Sequence, residues 1–280
     1  MHAVAPPPKD PLSEPAPWNA IAAAYDQVWF ERLPELTDRA IELLAPERGD
    51  RVLDVAAGSG AQAVRLAPRV GHVMAIDFAE SMIELLRGHI MRSRLPNLEA
   101  RLMNGQELEF DDASFDAAIS LFGVVSFDDR RRGLGEMFRV VVPGGRVVLG
   151  DWAEPERNTL FGAGMSALRR VLPDTAHRVL LRENDGPEVI ERQLDAAGFE
   201  QVTAHGFEHS IRCASVDDYW RDFERASAEL VLLREELGAE PYMVAAARAR
   251  DVLRESFGSE AFELRCSVVL TYAERPLSAA

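Results

Sequence analysis

The chain is almost without lysine. Lys9 is the single one in 280 residues, so every other member of its 31 basic side chains is arginine. Lys9 lies among six prolines, at positions 6, 7, 8, 11, 15 and 17. Mechanisms that need a lysine in a folded site are thereby excluded: Schiff-base formation, a Walker-type phosphate lysine, and the Tyr/Lys pair of many nicotinamide dehydrogenases. Cysteine is nearly as scarce. Cys213 and Cys266 stand far apart, with no CxxC and no Cys/His cluster, which excludes structural zinc and makes two reduced thiols the expected state rather than a disulfide framework. Apolar runs of 18 residues are absent, and the N-terminus has no apolar centre. Neither a membrane span nor a signal sequence is expected, and the cytoplasm is the expected location. Positive charge is short as well: the formal net charge is −15, a poor match to phosphate backbones, so no nucleic-acid partner is expected.

What is present suits a single large fold. With 47% hydrophobic residues over 280 positions, a chain of this length buries about three quarters of its surface without staples. Residues 1–17 read as a disordered, proline-rich tail. Trp18, Ile21, Ala22, Tyr25, Val28 and Trp29 then follow helical spacing, and Leu36, Ala40, Leu43 and Leu44 suggest a second helix. From residue 51, short apolar strands alternate with helical segments: Arg51–Val55, His72–Ile76, Leu98–Leu102, Ala117–Phe122 and Arg146–Gly150. Ser81 with Glu84 reads as a capping box, and Pro143–Gly144–Gly145 as a stop before the fifth strand. Strands separated by helices imply an α/β fold with a doubly wound, Rossmann-like, mostly parallel sheet. Past Asp151 the rhythm changes. Two further strands are expected over 199–212 and 261–273, with helices near 216–237 and 241–257, making a seven-stranded sheet with a helical cap in the C-terminal half. Residues 18–152 form the expected core, and 153–280 the remaining strands plus cap.

The informative stretch runs Val52-Leu53-Asp54-Val55-Ala56-Ala57-Gly58-Ser59-Gly60. Glycines after a strand let backbone approach a ligand at a helix N-terminus. Asp54, ahead of them, would repel a pyrophosphate but suits an ammonium or sulfonium charge. Asp77 closes the next strand, where a carboxylate accepts both hydroxyls of a ribose. Helix capping is the competing reading of both.

Four ordered motifs, VLDVAAGSG, AIDFAESMI, MNGQELEFDDASFDAAIS and FRVVVPGGRVVL, make residues 18–152 resemble the class I S-adenosylmethionine-dependent methyltransferases, in the small-molecule group related to the quinone-biosynthesis enzymes. The resemblance implies S-adenosylmethionine as cofactor. It implies that Asp54, Ala56, Gly58 and Gly60 line its methionine end, that Asp77 binds the ribose with Phe78 and Met82 at the adenine face, and that Asn104, Gly105 and Gln106 lie at the adenine edge. Ser120, Leu121 and Phe122 would flank the amino-acid portion, with Tyr25 closing over the cofactor. Two positions depart from the family pattern: Ala56 stands where a glycine is usual, and Asn104 where an aspartate is usual.

Beyond the cofactor the sequence is less explicit. His177 and Asp151 are the candidate catalytic residues. Trp152, Phe161, Met165, Tyr219, Trp220 and Phe223 are candidates to line an apolar pocket, with packing of the cap as the alternative. No metal arrangement is recognisable. The expected activity is methyl transfer to a small apolar or aromatic metabolite at oxygen, nitrogen or carbon; the alternative is a methyltransferase-like protein that keeps the cofactor but catalyses a rearrangement or cyclisation. Arginine and alanine bias suggests a bacterial source. The acceptor and the oligomeric state are left open.

Overall fold

The computed structural model describes residues 10–30, 32–153, 159–172 and 187–277. Seven strands form one sheet: β1 (Arg51–Val55), β2 (His72–Asp77), β3 (Leu98–Leu102), β4 (Phe115–Leu121), β5 (Val141–Trp152), β6 (Glu200–Cys213) and β7 (Phe262–Glu274). Their order is β3-β2-β1-β4-β5-β7-β6. The first five run parallel, whereas β7 is antiparallel to both β5 and β6. The chain winds outward from β1 to β3, then restarts at β4 in the other direction. The switch lies between β1 and β4, and a crevice opens there outside the carboxyl ends of the strands.

Strand sequences dictate the two-sided burial. Val52, Val73, Ala75, Ala117, Ile119 and Val148 face one core; the alternating residues Leu53, Met74, Ile76, Ala118, Val147 and Leu149 face the other. Near-continuous apolar runs are what strands covered on both faces require. The first core is closed by α2 (Pro34–Leu44), α3 (Ala61–Leu66) and α4 (Glu80–Ser93), through residues such as Leu36, Leu66 and Leu86. The second is closed by α5 (Arg130–Val140) and α7 (Pro187–Ala197), through Leu134, Met137, Ile190 and Leu194. Between β5 and α7 lies α6 (Thr159–Val171). Three cap helices sit between β6 and β7: α8 (Val216–Arg225), α9 (Ala228–Leu237) and α10 (Ala239–Phe257). Cap residues Tyr219, Leu233 and Leu253 belong to the same hydrophobic cluster as Val52 and Val73, so cap and sheet share a core.

The structure differs from the sequence reading at four places. Within the expected tail, Pro11–Ser13 form a helical turn and α1 (Pro15–Trp29) begins at Pro15. Leu12 is buried with Ile21 and Ala228, and the Trp18 indole N–H donates to the Leu12 carbonyl at 2.8 Å. Ser81 caps nothing, since α4 starts one residue earlier with Ala79 at its N-cap. The Ser81 N–H is taken instead by Asn19 Oδ1 of α1, at 2.9 Å. Pro143–Gly144–Gly145 does not stop the chain but lies within β5, where the register shifts between Phe115 and Ala117 of β4. Gly144 has φ 78°, and its N–H donates to the Arg275 carbonyl. The helix expected over 216–237 breaks at Ala226 and Ser227.

Candidate active site

The crevice at the switch point is a cavity of about 290 Å³. Its first wall is the turn after β1. Ala56, Gly58 and Gly60 all take positive φ, at 56°, 57° and 93°, so the chain doubles back and the Gly58 N–H donates to Asp77 Oδ2 at 2.9 Å. Asp77 Oδ1 accepts from the Ala79 N–H at 2.9 Å. These bonds fix the carboxylate at the cavity wall while leaving lone pairs on both oxygens. Burial raises its pKa to about 6, against the lowering effect of its backbone donors.

Asp54 stands behind this wall rather than in it. It is fully buried, with Oδ1 accepting from Gln62 Nε2 at 2.9 Å and Oδ2 without a hydrogen-bond partner. Burial pushes its pKa to about 7, opposed by the Gln62 hydrogen bond and reinforced by the Asp77 charge. Tyr25 of α1 comes over Gly58 and lines the cavity. Its hydroxyl is pushed up to about 12 by burial first, then by the charges of Asp77 and Glu229. This end of the cavity is therefore acidic. Asp77 at the wall, with the desolvated Asp54 carboxyl behind it, fits a ligand that brings a diol and a positive charge, as S-adenosylmethionine does.

Of the expected cofactor residues, Tyr25, Ala56, Gly58, Asp77, Phe78, Met82, Asn104, Gly105, Gln106, Leu121 and Phe122 line the cavity. Asp54, Gly60 and Ser120 do not. Gly60 serves packing: a Cβ there would fall 2.1 Å from Leu86 Cδ1. Ser120 Oγ is buried and accepts from the Val124 N–H at 3.3 Å. Asn104 is exposed, and its Oδ1 accepts from the Gln106 N–H at 2.9 Å in a local turn. Ala56, the departure from glycine, is accommodated across the crevice by Gly123, where an added Cβ would fall 2.3 Å from the Ala56 Cβ.

The opposite wall is aromatic. Phe122 takes φ 66°, uncommon for a bulky residue, and its ring stacks on Trp152 at 3.9 Å and 12°. Phe161 follows Trp152 at 4.6 Å, and Trp29 stacks on Phe161 at 5.3 Å. Trp152, Phe161, Met165 and Phe223 line the cavity as expected. Tyr219 and Trp220 belong to the core instead. Tyr219 clamps α6, donating to the Leu160 carbonyl at 2.7 Å and accepting from the Gly164 N–H at 2.9 Å. Asp151 lines the cavity at the end of β5, its Oδ1 accepting from the Trp152 N–H at 2.7 Å. His177 lies outside the described residues.

Sequence reasoning missed Trp18, Phe127, Arg130, Arg169, Ser227 and Glu229 in the lining. Arg169 was legible, since it continues the four-residue spacing of Phe161 and Met165 along α6. Ser227 and Glu229 were hidden by reading two helices as one. Among the described residues, no group of three or more His, Cys, Asp or Glu side chains could hold a metal, and no helix is long and apolar enough to cross a membrane.

The fold is that of the S-adenosylmethionine-dependent methyltransferases. The structure of phosphoethanolamine N-methyltransferase 2 from Haemonchus contortus, in complex with S-adenosyl-L-methionine, superposes with a TM-score of 0.59, covering 92% of this chain and 57% of that one; at 16% identity the likeness speaks to the fold alone. The family follows from sequence. The profile of the ubiE/COQ5 methyltransferase family matches residues 19–214, and the chain belongs to that family, with S-adenosylmethionine as its cofactor. The match continues through α6, α7 and β6, well past the motifs of the first 152 residues. Demethylmenaquinone methyltransferase of Clavibacter sepedonicus is 37% identical over 135 residues, 48% of this chain and 51% of the relative, so the matched region spans about half of that relative's length. The ubiquinone/menaquinone biosynthesis C-methyltransferase of Azotobacter vinelandii is 29% identical over 215 residues, 69% of this chain and 85% of the relative.

Proposed function

We propose that the protein methylates a small, planar, apolar acceptor of the quinone or hydroquinone class. The observation that carries this reading is the pairing of an acidic wall with a stacked aromatic wall across one cavity. S-adenosylmethionine, when bound, supplies an electrophilic methyl group on a sulfonium. Asp77 accepts the ribose hydroxyls, Phe78 and Met82 flank the adenine, and the turn at Ala56–Gly58 brings backbone to the amino-acid end. Phe122 and Trp152 receive the face of the acceptor ring, and Tyr25, Trp18 and the break between α8 and α9 close the cavity against water. Much of the rate then comes from holding acceptor and methyl in line. We assign Asp151, which lines the cavity, to orient the acceptor or to take a proton from it, with His177 as the second candidate for that role. Membership of the family and its quinone-methylating relatives support methyl transfer and give no support to the rearrangement alternative.

Thermal unfolding with S-adenosylmethionine, S-adenosylhomocysteine and NAD in parallel tests the cofactor half. A ligand at 100 times its Kd stabilises by about 2.7 kcal/mol, which for a chain of this size raises Tm by roughly 5–10 °C. Shifts with both adenosyl ligands and none with NAD are expected; no adenosyl shift would overturn the assignment.

A further inference from the structure

The end of the cavity that receives the cofactor is built by two parts of the chain. The turn at Ala56–Gly58 and Asp77 fall inside the region that matches the family profile, residues 19–214. Ser227, Ala228 and Glu229, at the break between α8 and α9, also line the cavity, and they lie beyond that region. The cap thus brings an acid of its own. Glu229 is half-buried, and after burial the charges of Asp77 and Glu229 are what raise the Tyr25 hydroxyl. Tyr25 comes over Gly58, and Gly58 bonds Asp77. Glu229 therefore faces the same end of the cavity as Asp77.

Glu229 is held there at the expense of a helix cap. Ser227 stands at the N-cap of α9, where a serine ordinarily accepts from a backbone N–H of the first turn. Its side chain makes no capping bond. Buried, it donates instead to Glu229 Oε2 at 2.7 Å. A glutamate in a first turn suits the helix dipole in many rotamers, and the serine selects one of them. The backbone beneath is anchored as well, since Ala228 packs with Leu12 and Ile21, while Leu230 and Leu233 join the core shared with the sheet. Among the described residues, no arginine or histidine forms an ion pair with Glu229. The other two acids of this end are differently engaged. Asp77 accepts two backbone N–H groups and is assigned to the ribose, and Asp54 stands behind the wall on Gln62.

We infer that Glu229 selects the charge state of the cofactor: its carboxylate attracts the sulfonium, so the site favours S-adenosylmethionine over S-adenosylhomocysteine. This rests on the methyltransferase reading above and deepens it. In methyl transfer the methyl–sulfur bond breaks with its electron pair left on sulfur, and the methyl group bonds to the acceptor, which gives up a proton to Asp151 or to water. The product is a neutral thioether. The attraction to Glu229 ends with the sulfonium charge, which eases exchange of product for a fresh cofactor.

The test is calorimetric titration of the protein, without acceptor, with S-adenosylmethionine and with S-adenosylhomocysteine at one pH and one ionic strength. Glu229→Gln keeps an oxygen for Ser227 and removes the charge. It is expected to weaken S-adenosylmethionine binding by about three- to tenfold, the size of a unit-charge attraction over several ångströms in a half-buried setting, and to leave S-adenosylhomocysteine within about twofold. Sinefungin, which carries an ammonium in place of the methylated sulfur, is expected to follow S-adenosylmethionine. Glu229→Ala should lower the same ratio and serves if the first variant does not fold. A merely structural role would move the ligands together. If all affinities fall in step, or if the ratio of the two adenosyl ligands is unchanged in both variants, the inference is overturned. Failure of the wild-type protein to bind either adenosyl ligand would instead strike the cofactor assignment, so the two failures are told apart.

Discussion

The two walls of the cavity are built in opposite ways. The cofactor wall comes from three short turns at the ends of β1, β2 and β3, all within residues 54–106, and it uses backbone and carboxylates: the left-handed turn at Ala56–Gly60, and Asp77 held by the N–H groups of Gly58 and Ala79. The acceptor wall comes from β4, β5, α5, α6 and α8, spread over residues 121–223, and it uses large side chains and two arginines, Arg130 and Arg169. The first is a local device whose geometry follows from a few adjacent residues. The second exists only once the cap helices have docked on the sheet. One fold can therefore keep its cofactor chemistry while its acceptor wall is rebuilt.

The largest effect that would separate the walls is a crossed pair of substitutions. Asp77→Asn keeps an acceptor for a backbone N–H but removes the charge and one diol acceptor. It is expected to weaken S-adenosylhomocysteine binding by roughly 10–100-fold, the loss of a charged hydrogen bond or two. Trp152→Ala removes the ring stacked on Phe122 at 3.9 Å and is expected to raise KM for the acceptor while leaving cofactor affinity within about twofold, since the stacking it loses is worth about 1 kcal/mol beyond burial. Titration with the cofactor product and acceptor kinetics on both variants check this. If Trp152→Ala weakens cofactor binding as strongly as Asp77→Asn does, the walls are not separable.

This contrast also explains what the sequence made legible. Asp77 and the glycine turn could be placed from spacing because they end two successive strands of one strand–helix–strand unit, nineteen residues apart. Ser81 misled because the acceptor for its N–H comes from Asn19, sixty-two positions upstream and on another helix. The helical turn Pro11–Ser13 packs through Leu12 against Ala228 of α9, a contact no local pattern announces. Tyr219, Trp220 and Phe223 share a helix face in sequence, yet only Phe223 reaches the cavity, because the Tyr219 hydroxyl is spent on α6. Apolar residues at helical spacing say that a face is buried; tertiary packing decides against what.

A second difference between the walls is electrostatic and should be visible in the protein without ligand. Asp54 and Asp77 have folded pKa values raised to about 7 and about 6, mainly by burial. A carboxyl whose pKa is higher folded than unfolded favours folding in its protonated form. That stability is present below the unfolded value near 4 and is lost as pH rises through the folded values. The ligand-free protein should thus lose a few kcal/mol between about pH 4 and pH 8 from these two groups. Asp54→Asn, which keeps an oxygen for Gln62, should flatten the decline and raise Tm at pH 8 while weakening S-adenosylmethionine binding. Among the described residues the acceptor wall has no such buried acid pair, so Trp152→Ala should lower stability without changing its pH dependence. Denaturant melts of both variants across this pH range would expose an error: a decline unchanged in Asp54→Asn means that its carboxyl is not the one held against its charge.

The smallest expected effect lies where the walls meet. Ala56 closes the cofactor turn with φ 56°, a conformation that places its Cβ against the following carbonyl at a cost of about 1 kcal/mol. Across the crevice, Gly123 leaves room for that methyl group, since a Cβ at 123 would fall 2.3 Å from it. Ala56 and Gly123 thus form a matched pair in which the methyl missing from one position is supplied by the other. Gly123→Ala alone should destabilise by about 1–3 kcal/mol through overpacking and disturb cofactor binding, because the clash falls on the turn that meets the ligand. Ala56→Gly alone should stabilise by up to about 1 kcal/mol with cofactor affinity nearly unchanged. The double variant should recover most of what Gly123→Ala lost, giving a coupling energy that independent sites would not show. A double-mutant cycle read by denaturant unfolding measures that coupling. Strict additivity would mean that the two methyl positions do not meet, and that the departure from glycine at position 56 is absorbed elsewhere in the turn.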